Sequence, residues 1–71
     1  MTTNETFDQA IAVRNVAALK LYEAEIAAHD ANQTHIDQWI RAAHNHLHAA
    51  IVEYSAANAV VTSLRELQLA A

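Results

Sequence analysis

The sequence predicts an all-α fold, a two-helix antiparallel hairpin with alanine-rich heptad seams that assembles with a second copy into a four-helix bundle. Three observations predict it. The 71 residues include no Gly and no Pro, the residues on which tight hairpin turns and bulges depend, so a multi-stranded sheet is disfavoured. Seventeen residues are alanine, the strongest helix former. From Ile36 to Leu64 the apolar and alanine positions keep an unbroken 4-3 spacing, which is a heptad seam. Residues 1–71 read as one helical-hairpin domain, with helix one at about 4–29, a turn at about 30–34 and helix two at about 35–69.

Helix one starts in the Thr/Asn cluster. Thr2-x-x-Glu5 has capping-box spacing, and Thr6-x-x-Gln9 offers a second start one turn later. Glu5 and Asp8 stand where the helix dipole favours negative charge. Ala10, Ala17, Ala24 and Ala31 recur every seven residues, with Phe7, Leu21 and Ala28 at companion positions and Ile11, Ala18 and Tyr22 widening the stripe.

The turn is expected in His29-Asp30-Ala31-Asn32-Gln33-Thr34, because Asn and Asp tolerate left-handed backbone angles and Thr34 or Asn32 can cap the next helix, with Thr34-x-x-Asp37 as a weaker start signal. The rival is a single continuous rod of roughly 100 Å at 1.5 Å per residue, since no Gly or Pro forces a stop. The polar cluster and the fresh capping signal favour the hairpin.

In helix two the seam takes Ile40, Leu47, Tyr54 and Val61 as position a, and Ile36, Ala43, Ala50, Ala57 and Leu64 as position d. Large side chains thus alternate with alanine, a pattern suited to close helix approach. A turn near residue 32 or 33 brings Arg14 level with Glu53 and Glu25 level with Arg41. An antiparallel dimer through helix one would instead set Arg14 against Glu25 of the other copy, and either pair is worth at most ~1 kcal/mol.

Removing the alanines leaves twenty-one large apolar side chains, a thin core for a chain without cysteine to cross-link it. A second apolar line on helix two comprises Trp39, Ala42, Ala49, Ala56, Val60 and Leu67, interrupted by His46, Glu53 and Ser63. Helix one carries another in Ala12, Val16, Leu19 and Ile26. Helix two also reads as the longer, so Val61, Leu64, Leu67 and Leu69 would extend past its partner. Trp39, Val60, Val61, Leu64, Leu67, Val16, Leu19 and Ile26 are therefore the expected interface, covered by self-association. Trp39 is its best single anchor, with a cap over the turn end as the alternative.

Four Lys/Arg against eight Asp/Glu give a net charge of −4, the wrong sign for phosphate-driven nucleic-acid binding or for anionic lipid surfaces. Arg14, Lys20, Arg41 and Arg65 do not cluster, which also argues against the RNA-binding dimeric hairpin. No signal-peptide core and no membrane span stand out, so the expected location is cytoplasmic.

Five histidines are the feature that invites chemistry. His44 and His48 stand one helical turn apart and could face one metal ion with Asp37 and Arg41 nearby, whereas His46 points roughly the other way. Two His at this spacing, without the Glu of a metalloprotease helix and without a third ligand, make a weak motif. His29 and His35 bracket the turn as polar helix-end residues. Ser55 and Ser63 lie inside a helix with no oxyanion motif, and no glycine means no phosphate loop. No catalytic residue, metal site or cofactor is expected. The functional expectation is a non-enzymatic acidic helical protein that self-associates and binds a protein partner as a regulator, adaptor or inhibitor; fold-level analogy extends this to phage-encoded proteins. The alternatives are a structural subunit of a larger helical assembly, and an oligomer that binds metal or responds to pH through its histidines.

Overall fold

A computed structural model of the chain describes residues 3–70, with side chains from residue 5 onward. Two helices, α1 (Thr3–Thr34) and α2 (Asp37–Ala70), lie antiparallel and pack along their length. The hairpin measures 53 × 15 × 14 Å, which excludes the continuous rod. At 1.5 Å per residue, 32 and 34 residues give helices of about 48 and 51 Å, so the two are matched and span the whole long axis.

The turn lies further along the chain than the polar cluster suggests. Residues 30–34 continue α1, and only His35 and Ile36 connect the helices. Asn and Asp tolerate a left-handed conformation without imposing it, so the helix runs on until a side chain diverts it. Thr34 is that residue. Its hydroxyl donates to the Ala31 carbonyl at 2.6 Å and accepts the Ile36 N–H at 3.1 Å, closing the end of α1 rather than capping the start of α2. His35 then takes the left-handed position at φ 58°, where glycine is usual, at a cost of roughly 1 kcal/mol. The Ile36 carbonyl accepts the N–H groups of Trp39 and Ile40, both at 3.0 Å, and so opens α2. Asp37 and Glu5 stand in the first turns of their helices, where the dipole favours an acid. Thr2, the expected cap of helix one, lies outside the described residues, and Thr6 is inside α1.

Moving the turn to the 35/36 junction changes the register by about one helical turn. Residues symmetric about that junction share a level. Ala10, Ala17, Ala24 and Ala31 therefore stand level with Val61, Tyr54, Leu47 and Ile40, and Leu21 and Ala28 with Ala50 and Ala43. Each seven-residue alanine of α1 thus stands level with a large residue of α2, a pattern that suits close approach of two thin helices. Burial follows this scheme: Ala17, Ala24, Ala28, Ala50 and Val61 are the buried residues among those described, at 1–5% exposure.

Three expectations are corrected here. Val61 is 1% exposed and belongs to the seam, not to an interface with another molecule, because α2 does not overhang α1. Leu64 is half-buried for the same reason, level with Phe7. Ile36, assigned to the seam, sits in the turn at 41% exposure. The other predicted seam residues, Phe7, Ala10, Leu21, Ile40, Ala43, Leu47, Tyr54 and Ala57, are half-buried between the helices.

Candidate functional site

Two faces flank the seam, and they differ in chemistry. On the first, seven-residue columns run along both helices: Thr6, Val13, Lys20 and Ala27 on α1, and Trp39, His46, Glu53, Val60 and Leu67 on α2. Three shallow clefts mark it. One is lined by Thr6, Gln9, Ala10, Val13, Ala57, Val60 and Leu64. The next is lined by Ala12, Val13, Val16, Lys20 and Glu53. The third holds Lys20, Glu23, His46, Ala49, Ala50 and Glu53. Val13, Lys20 and Glu53 are shared between neighbouring clefts, so the three form one continuous strip.

At the centre of that strip Lys20 Nζ meets Glu53 Oε1 at 3.1 Å, with both side chains more than half exposed. This pair replaces the expected one between Arg14 and Glu53. With the turn at 35/36, Arg14 is level with Ala57, and its guanidinium donates to Asn15 Oδ1 at 3.4 Å. Glu25 and Arg41 are likewise displaced from each other's level; Arg41 lines an open cleft with Asp37, Gln38, Ala42 and Asn45.

Around the ion pair the strip is apolar and open. Val13 is 60% exposed, Val16 55%, Val60 53%, Trp39 54% and Leu67 65%. Of the residues expected at an interface, Trp39, Val60, Leu67 and Val16 thus lie in water on this side. Leu19 and Ile26 are also exposed, but they occupy the outer edge of α1, one column further round. Val13 and Lys20 were not among the expected site residues. The seven-residue column that contains them is readable in the sequence only once the alanine column beside it is known to face α2.

The second face mixes polar and apolar side chains, with Ile51 44% exposed in the same seven-residue column as His44 and Asn58. His44 Nε2 and Asn32 Oδ1 are hydrogen-bonded at 3.2 Å near the turn, and the columns beyond them carry Glu25, His48, Asn58 and Arg65. Thr62 donates to the Asn58 carbonyl at 3.0 Å. His44 and His48 share this face while His46 lines the cleft on the other, as a 200° separation on a helix requires. Among the described residues no group of three His, Asp or Glu side chains stands close enough to hold a metal ion. None of the helices described is long and apolar enough to cross a membrane.

The chain matches no protein-family model, no curated protein and no solved structure.

Proposed function

We propose that this chain is a non-enzymatic interaction protein of the cytoplasm, which self-associates into a four-helix bundle and in that form binds a protein partner as a regulator, adaptor or inhibitor. One observation carries the reading. Twelve large apolar side chains, from Val13 to Leu69, are at least 41% exposed, whereas Val61 is the one large side chain that the hairpin buries fully among the described residues. Of these, Val13, Val16, Trp39, Val60 and Leu67 lie along the strip. Isolated soluble chains avoid large contiguous apolar patches, and association removes them from water at roughly 25 cal/mol per Å². A second reading, an open-ended structural assembly, draws support from Leu19, Ile26 and Val52, which are exposed away from the main strip.

Light scattering across a concentration series tests both. A closed dimer or tetramer is the expected result, growth without limit would favour the structural assembly, and a monomer at tens of micromolar would defeat self-association. For the partner, affinity capture from the native cell is expected to return a protein that a Trp39→Ala variant captures less well.

A further inference from the structure

We infer that the strip built around Lys20 and Glu53 is covered by the same strip of a second copy, face to face, with the two turns at the same end of the bundle. The inference rests on the self-association proposed above and names its surface and its orientation.

Area supplies the first argument. A compact chain of 7.8 kDa exposes about 4,400 Å² by the scaling of surface with mass. This hairpin exposes 5262 Å². The excess of roughly 900 Å² matches the ~800 Å² that each partner contributes to a stable interface. A second copy on one long face therefore removes about the surface that the slender shape leaves over.

Charge supplies the second. Lys20 lies near the middle of α1 and Glu53 near the middle of α2, so the ion pair stands halfway along the hairpin. When two copies meet face to face about a two-fold axis parallel to the helices, α1 lies over α2 of the other copy. Lys20 then opposes the partner's Glu53, and Glu53 opposes the partner's Lys20, turning two isolated pairs into an alternating square of four charges. The same operation sets Val13 against the partner's Val60, and Val60 against the partner's Val13, because Val13 and Val60 line one cleft and each stands seven residues along its helix from Lys20 or Glu53. Apolar thus meets apolar and each charge meets its opposite.

The rival two-fold, which puts the turns at opposite ends, lays each helix on its own copy. Because the ion pair sits at mid-length, Lys20 would then approach the partner's Lys20, and Glu53 the partner's Glu53. Val60 would face the level of the partner's His46. Like charges brought together in a partly desolvated interface are strongly unfavourable. The self-complementary arrangement is the one that an isologous interface requires.

The absence of cysteine makes the orientation directly measurable. A Gln33→Cys variant, spin-labelled at the exposed end of α1 beside the turn, reports the distance between turns in the assembled protein. Turns at one end give a separation of about two helix diameters, roughly 20–25 Å. Turns at opposite ends give one near the 53 Å length of the hairpin, which would overturn the inference while leaving self-association standing. A monomeric protein in light scattering would overturn both.

Charge reversal supplies the second readout. Lys20→Glu and Glu53→Lys are each expected to weaken self-association at least about tenfold, with helicity by circular dichroism retained, since both positions are more than half exposed. Mixing the two variants, or combining them in one chain, should restore the assembly. An unchanged mass for both single variants, or failure of restoration with the helices intact, would place the interface elsewhere and overturn the inference.

Discussion

Val60 and Val61 are the same residue type, adjacent on the same helix, at 53% and 1% exposure. One faces the strip along the side of the hairpin and the other faces α1. The comparison extends to the two regions they represent. The seam is built from small residues against large ones and buries Ala17, Ala24, Ala28, Ala50 and Val61, whereas the strip beside it has the same helical framework and no cover. What separates them is a 100° step around the helix, and that step divides residues that make the hairpin from residues that stand ready to join it to something else.

Substitutions at the adjacent valines should break this distinction most visibly. Val61→Asp leaves a charge unpaired between the helices and is expected to cost several kcal/mol, enough to melt the hairpin at room temperature by circular dichroism. Val60→Asp should leave the helical signal intact and abolish the larger species in sedimentation. Next in size, Ala24→Leu overpacks a position at 1% exposure and should destabilise by ~1–3 kcal/mol in urea unfolding, against less than ~0.5 kcal/mol for Ala27→Leu on the open side. At the turn, His35→Gly removes the penalty of a left-handed backbone at φ 58° and should stabilise by about 0.5–1 kcal/mol, read as a higher denaturation midpoint. The smallest effect belongs to the ion pair within a single chain. In a dilute sample kept monomeric, Lys20→Gln should cost at most ~1 kcal/mol, and salt should erase the difference.

The helices, the hairpin and most of the seam were legible in the sequence because they depend on periodicity, which a run of 4-3 spaced apolar residues displays openly. The turn was not. His35 shares with Asn and Asp an enrichment at positive φ, but His29, Asp30 and Asn32 carry the same signal and lie inside α1. The ion pair was missed as a direct result, since shifting the turn from 32–33 to 35–36 slides one helix along the other by about a turn and exchanges Arg14 for Lys20 as the neighbour of Glu53. The exposure of Trp39, Val16, Val60 and Leu67, the residues expected at an interface, was readable from their columns. Val61 was placed at a seam position by the 4-3 spacing, and it is buried there; its second placement, past the end of helix one, failed because it depended on helix length, and the length depended on where the turn began.

The alternation of Ala10, Ala17, Ala24 and Ala31 against Val61, Tyr54, Leu47 and Ile40 has a modular consequence. Successive rungs repeat one pattern, alanine against a larger side chain, so the hairpin's height can change in heptad steps without changing the pattern. Excising residues 24–30 together with 41–47 removes one heptad from each arm, preserves the phase of both columns and shortens the molecule by about 10 Å. The hairpin is then a ruler graduated in heptads: the spacing between its turn and its open end can be reset one heptad at a time, at the cost of the contacts of the excised rungs, here the His44–Asn32 hydrogen bond and the burial of Ala24 and Ala28.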